Sequence, residues 1–420
     1  MTRKTLPKVA IFYGNGSATP LSIQAASIGI CKIVFLYQED CSQSDLSQIK
    51  LLEKHATSYN ISNLSEEEIE GILHDEKVEG ITTFSEYKLL ETSIFVEKML
   101  LSGNSVETAR ALVNKFMQRE ILSKSKGTSV KFTRLDKNNL QQSLLAVGTP
   151  AIIKPVVGAG SKWTKKVNSY EELENAVHEF PPDHEYVLEE FLSGNKEIEN
   201  SFYGDYVSVE SIHQGGNSTQ VSITGKLPLT QHFSESGMFL PHPFSKKIED
   251  EIRSIESEAI KALKITSGTT HTEIKITDEG PKIIEVNGRM GGYVSEILKR
   301  ATGVDLIRIT LQISLNQEVV IQPPPIKKVY YQVFLTPPIV ENGIYQGITG
   351  LDQLKDYKDI THVQITKKEG ETIDSRLGTE NNIGIVYGES DDFKQFVTTI
   401  NLVRSQANPL IAAQQKEVLQ

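Results

Sequence analysis

Apolar and polar positions follow two rhythms along this chain. Lys8–Tyr13 and Lys32–Tyr37 are compact apolar runs bounded by polar or glycine-rich segments, as buried strands are. Between them residues 21–29 carry helical spacing, and residues 65–74 have an acidic start followed by apolar positions on one helical face. Residues 80–84 read as a further strand. This alternation predicts a parallel sheet at the front of the chain. The turn Gly14-Asn15-Gly16-Ser17 resembles a dinucleotide loop only in part, since the third glycine is missing; a plain strand–helix connection also explains it.

Residues 86–123 are predicted to be mostly helical, and 169–179 helical again. From about 187 to 286 the pattern is strand-rich, with one helix near 248–263. Gln322-Pro323-Pro324-Pro325 is a stiff break and a candidate boundary. Beyond it Val329–Leu335, 363–366 and 383–387 read as strands and 391–405 as a helix, with residues 414–420 expected to fray.

Composition narrows the class. The 420 residues hold 44 Lys+Arg against 54 Asp+Glu, a net charge of −10. Such a balance argues against general nucleic-acid or anionic-membrane binding, though not against a local basic pocket. Only Cys31 and Cys41 are present, so a disulfide framework is not expected and a four-cysteine zinc site is excluded. No apolar run reaches the ~18 residues of a spanning helix. The cytoplasm is the expected compartment.

The most informative stretch is residues 271–289, two strand-like segments around Asp278-Glu279-Gly280. Centring a hairpin on Glu279 places Glu273 opposite Glu285, with facing Cβ atoms about 5 Å apart. Asn287 shares the face of Glu285, while Ile274, Ile276, Ile284 and Val286 point to the other side. Facing carboxylates repel unless something neutralises them. Two Glu and an Asn amide oxygen suit Mg²⁺ or Mn²⁺ carried with a nucleotide; an exposed hairpin with incidental acids is the alternative. Arg289 follows, placed to stabilise a phosphoryl or acyl-phosphate oxygen or, alternatively, to pair a neighbouring acid. Gly291 and Gly292 then allow close backbone approach.

Upstream, an apolar strand ends near Lys154, followed by Gly158, Gly160 and Ser161. Lysine plus a small-residue loop fits phosphate binding, yet the lysine precedes the glycines and no Walker ending is present. Lys115 opens a helical stretch that ends in Arg119-Glu120; taken alone it reads as solvated surface. Glu189, after a strand at 186–188, offers a carboxylate and backbone groups to a base edge.

Taken together and in this order, from Lys115 to Gly292, these pieces resemble the ATP-grasp superfamily of carboxylate–amine ligases. Glu235-Ser-Gly-Met, His271-Thr-Glu273 and Glu285-Val-Asn287-Gly-Arg289-Met-Gly-Gly292 resemble most the bacterial L-amino-acid ligases, which join two unprotected L-amino acids into a dipeptide. The resemblance implies an α/β and α+β architecture. A Rossmann-like leading domain would span 1–110, and an ATP-grasp body 111–320 with a mobile lid at about 125–190. A small C-terminal α+β closing domain would span 321–420.

By the same resemblance, Lys115 and Lys154 contact phosphates, and Gly158, Gly160 and Ser161 cover the triphosphate. Glu189 and Leu192 form the adenine hinge. Glu273, Glu285 and Asn287 are the magnesium ligands. Arg289 and Gly292 hold the acyl-phosphate, Arg289 and Lys154 acting in catalysis. Glu235 receives the first substrate's amino group, and Tyr293 limits its size. His271, Glu235 and Glu273 are candidates for the base. Met238 stands where relatives usually carry His, and Glu197 is a weak ribose ligand in the hard-to-align loop 194–204. Asp374 is an acid that would favour a basic substrate side chain. The implied partners are ATP, Mg²⁺ or Mn²⁺ and two amino acids, with no nucleic acid or membrane, in a monomer or homodimer. The alternative is another ATP-grasp ligase, biotin-carboxylase-like or of purine-pathway type.

Overall fold

A computed structural model of the chain describes residues 5–125, 130–199, 201–230, 232–340 and 342–413. The expectation for residues 414–420 lies outside them. The leading segment forms a four-stranded sheet in the order Thr57–Asn60, Lys32–Tyr37, Lys8–Tyr13, Val78–Thr82. All its pairings are parallel, as the alternation predicted. Thr57–Asn60 escapes sequence reading because it is polar and sits at the sheet edge. The last strand begins two residues before the predicted 80–84, since Val78 is buried while Thr83 and Phe84 have left the ladder.

The predicted helical tract 86–123 is broken into a short 3₁₀ turn at Glu86–Lys88 and helices Leu89–Lys98, Val106–Val113 and Lys115–Leu122. Asn114 divides the last two. Its extended backbone ends one helix, and its side chain accepts from Met117 N–H to cap the next. Lys115 is thereby fixed at a helix N-terminus, where its own N–H donates to Val156 O at 2.9 Å.

Phe132–Arg134, Tyr186–Glu190, Ala151–Pro155 and Lys165–Val167 form a separate four-stranded antiparallel sheet in that order. Helices Leu140–Val147 and Tyr170–Glu179 supply Leu144, Val147, Leu173 and Ala176 to its core. The eight-stranded sheet at the centre runs Gly280–Asn287, Gly268–Thr277, Tyr206–Gln214, Asn217–Lys226, Gly237–Leu240, Val329–Leu335, Gly384–Ser390, Ile360–Ile365. One face at the hairpin end packs on helix Lys246–Ala262, joining Val207, Val209, Ile274, Ile276 and Val286 to Ile252, Ala259 and Ile260. Each fully buried aliphatic side chain there contributes about 1.5–3 kcal/mol. The opposite face carries the polar side chains of the site.

The Pro323–Pro325 stretch is exposed, as a break should be. The sheet nevertheless continues across it, because Val329–Leu335 pairs with Gly237–Leu240. Gly343–Thr349, Thr372–Ile373 and Asn408–Ala413 add a small three-stranded sheet, and helix Phe393–Gln406 covers the C-terminal core. Among the described residues no helix is long and apolar enough to cross a membrane.

Candidate active site

The hairpin pairs Glu273 with Glu285 and His271 with Asn287, the register expected from the sequence. Nearer the turn the register slips by one: Ile274 pairs with Ile283, and Thr277 with Gly280. The extra residue is Ile284. Ile283 takes the core position, and Ile284 turns to the cavity wall instead of pointing away from it. The bulge corrects the expectation that Ile284 shares the core face; it arises because the turn is Asp278-Glu279, not centred on Glu279.

A cavity of about 1140 Å³ opens above this face. That volume is at the upper end of small-molecule sites. Lys115, Lys154, Gly158, Gly160, Ser161, Glu189, Leu192, Glu235, His271, Glu273, Glu285, Asn287, Arg289, Gly292 and Tyr293 all line it. Residues far apart in sequence are thus gathered on one wall system. Met238 is not among them; it is fully buried in the core. Asp374 is held by Arg376 at 2.6 Å and does not line the cavity, so it offers no free acid to a basic substrate.

The expected positive pocket is a set of paired charges. Lys115 Nζ lies 2.9 Å from Glu285 Oε1 and donates to Gly158 O at 2.5 Å. Lys154 Nζ lies 2.9 Å from Glu189 Oε2, while Arg119 grips the same carboxylate through Nε at 2.9 Å and Nη2 at 2.8 Å. Burial would raise the Glu189 carboxyl, but Arg119 and Lys154 outweigh it and hold it down to about 2. Burial lowers the Lys154 ammonium despite Glu189. The Glu189 side chain is therefore engaged by two cations and not available to an adenine amine. Glu190, Phe191 and Leu192 line the cavity beside it.

On the other wall His271 Nδ1 lies 2.7 Å from Glu210 Oε1, and its Nε2 3.6 Å from Glu273 Oε1. Burial would lower the imidazole, yet Glu210 outweighs it and raises the ring to about 9. Burial likewise opposes ionisation of Glu273, but His271 prevails and holds it well below the carboxylate range. Glu235 is met by the buried Lys226 at 2.6 Å. A Cβ at Gly291 would lie 2.4 Å from His271 Nδ1, so the glycine admits the ring. Tyr293 stands half-exposed against Phe334, ring centroids 5.5 Å apart.

Arg289 reaches Glu86 Oε2 at 3.2 Å through Nε, and donates to Met290 O at 2.9 Å and Asn287 Oδ1 at 3.3 Å. Burial pushes the Glu86 carboxyl up to about 7 even against this guanidinium. Among the described residues no three His, Cys, Asp or Glu side chains group as a metal site. The hairpin's donors are two carboxylates and one amide on a single face, a hard-oxygen set that fits Mg²⁺ or Mn²⁺ with phosphate oxygens completing the shell.

Sequence reasoning missed Glu86, Arg119, Glu210 and Lys226. For Arg119 a signal existed: it lies four residues after Lys115, on the same helical face. Glu86 carried none, because it comes from the turn after the parallel sheet and meets Arg289 only in the folded chain.

Residues 147–297 match the family model for the ATP-grasp domain. They form an ATP-grasp domain. The strands that carry Lys154, Glu189, Glu273 and Glu285 all lie within it. The chain is 28% identical over 257 residues to an alanine–anticapsin ligase of Bacillus subtilis, covering 56% of this chain and 54% of that protein. It thus spans about half the length of such relatives. An L-arginine-specific L-amino acid ligase of Bacillus subtilis is 22% identical over 301 residues, covering 68% and 69%. Among solved structures, an L-amino acid ligase from Bacillus licheniformis superposes with a TM-score of 0.76 at 20% identity, covering 98% of this chain and 100% of that one. An N5-carboxyaminoimidazole ribonucleotide synthetase from Thermotoga maritima superposes at 0.71 with 16% identity, covering 97% and 100%. The ATP-grasp domain is therefore set in a fold shared along nearly the whole chain.

Proposed function

We propose that the chain is an ATP-dependent carbon–nitrogen ligase that joins two unprotected L-amino acids, releasing ADP and phosphate. The observation that carries this reading is the meeting of Lys115, Lys154, Glu273, Glu285, Asn287 and Arg289 around one cavity. The relatives' names, ligases of amino acids, support the substrate class.

In the first step a carboxylate oxygen of one amino acid attacks the γ-phosphorus of ATP. The bond to the bridging oxygen breaks and ADP leaves. In the second, the amine of the other amino acid attacks the acyl carbon, the carbon–oxygen bond breaks, phosphate leaves and the nitrogen gives up a proton. Lys115 and Lys154 hold phosphate oxygens. Arg289 is already fixed by Glu86, Met290 O and Asn287, so it meets developing oxyanion charge without reorganising. Glu273, Glu285 and Asn287 would hold Mg²⁺ or Mn²⁺, which when bound neutralises phosphate charge. Gly158, Gly160 and Ser161 exclude water from the activated acyl group.

The test is ADP and phosphate release over all pairs of the standard amino acids, with products identified by mass spectrometry. The expected result is a dipeptide from at least one pair. In that assay Arg289→Ala should lose about 10²-fold or more in kcat. No dipeptide from any pair, with ATP turnover dependent on bicarbonate instead, overturns the reading in favour of a carboxylating ligase.

A further inference from the structure

Residues 374–382 lie between two parts of the site that are remote from each other in sequence. Asp374 caps the 3₁₀ segment Ser375–Asn381 by accepting from Arg376 N–H. One side of this segment meets the glycine loop by backbone. Trp163 N–H donates to Arg376 O at 2.9 Å, and Thr379 N–H donates to Gly160 O at 3.0 Å. Lys162 pairs with Glu380 at 2.6 Å, and the Arg376 guanidinium stands 5.5 Å from the Trp163 ring centroid. Gly378 makes the approach possible. Its φ is +61°, and a Cβ there would lie 2.0 Å from Gly160 O.

The other side of the segment meets the substrate wall. Glu235 N–H donates to Thr379 Oγ1 at 3.4 Å, and Asn382 Nδ2 donates to Glu235 O at 3.5 Å. Thr379, Glu380 and Asn382 line the cavity. Thr379 thus bonds both walls, by its backbone to the loop and by its hydroxyl to the Glu235 connection.

We propose that Thr379 is a positioning residue that ties the glycine loop to the Glu235 wall, so that covering the phosphates and setting the substrate acceptor occur together. The inference rests on the ligase reading of Glu235. Its chemical sense is protection of a water-sensitive intermediate: a loop that closes only with the substrate wall in place leaves no closed state with a misplaced acceptor. The two main-chain bonds depend on backbone geometry, with Gly378 the residue whose identity matters for them, while Lys162–Glu380 and Arg376–Trp163 add side-chain contacts beside them.

The test uses the full chain and two independent readouts. Hydrogen exchange on the apo protein follows the peptides that contain Trp163 and Thr379. Gly378→Ala should speed their exchange about tenfold relative to wild type, since the loop is pushed off the segment. Unchanged exchange in a folded Gly378→Ala overturns the tie. This readout needs no turnover, so it stands or falls apart from the ligase reading. The second readout is steady-state kinetics on whichever amino-acid pair is active. Thr379→Val keeps the backbone donor and removes the hydroxyl acceptor. It should raise the amino-acid KM and the ATP KM alike, each about fivefold, because one tie serves both walls, with Thr379→Ser restoring wild-type values. A rise in only one of the two KM values, or no change, overturns coupling through the hydroxyl. Exchange with and without a non-hydrolysable ATP analogue should show the analogue slowing Trp163 exchange in wild type and less so in Gly378→Ala; equal slowing in both overturns the role of Gly378.

Discussion

The Glu273–Glu285 hairpin and the glycine loop are both small, both polar on the cavity side, and held in opposite ways. The hairpin is self-determined. Its two strands are contiguous in sequence, its turn is short, and its far face is an aliphatic core with helix Lys246–Ala262. The glycine loop is determined from outside: Lys115 holds Gly158 O, while the 374–382 segment holds Gly160 and Trp163. A structure that carries its own register is legible locally. One placed by distant chain is not.

Three experiments would break or sharpen that contrast. The largest effect is expected at Arg119, whose buried guanidinium joins the Glu189 carboxylate to the Ile283 and Ile284 carbonyls. Arg119→Met leaves the two carbonyls unmet and Glu189 with Lys154 as its remaining cation, and should cost about 3–5 kcal/mol in denaturant unfolding. A loss under about 1 kcal/mol would mean that the hairpin stands without this clamp.

Next come the two isoleucines of the bulge. Ile283→Ala should cost about 2–5 kcal/mol of stability, as buried aliphatics do. Ile284→Ala should cost under about 1 kcal/mol and act instead on the ATP KM. Equal stability losses at both positions would contradict the bulged register.

The smallest effect is a pH response. His213, fully buried beside the hairpin, shares hydrogen bonds with Thr270 and Ser218. Burial lowers its imidazole from the ordinary 6.5 to about 4. The unfolded chain then binds the proton first, so stability is complete above pH 6.5 and falls as pH drops through the window from 6.5 to 4. Between pH 7 and 5 the loss should be about 2 kcal/mol, and His213→Gln should remove that slope. The same slope in the variant would assign the acid response to other groups.

Much of the architecture was legible because apolar periods are local. The strands Lys8–Tyr13, Lys32–Tyr37 and Val329–Leu335 have the bounds the pattern predicts. The facing of Glu273 and Glu285 matches the expectation because the bulge at Ile284 offsets the one-residue error in the turn centre, and the bulge itself was not legible, since Ile283 and Ile284 are chemically identical. The partners of Arg289, Lys154 and Glu235 were illegible for a different reason. Glu86, Arg119 and Lys226 are brought to them by the tertiary fold, and a polar residue that will be buried looks in sequence like one that will be solvated.

The sheet that passes beneath the whole cavity also limits how the chain can be cut. The exposed Pro323–Pro325 stretch looks like a seam for expressing two fragments. A fragment ending there would strip Gly237–Leu240 of its neighbour Val329–Leu335 and leave a row of backbone donors and acceptors bare. Such a fragment would be prone to self-association, and it would lack the 374–382 segment as well. The seam visible on the surface is therefore a poor place to truncate, and the two halves are better studied as one chain.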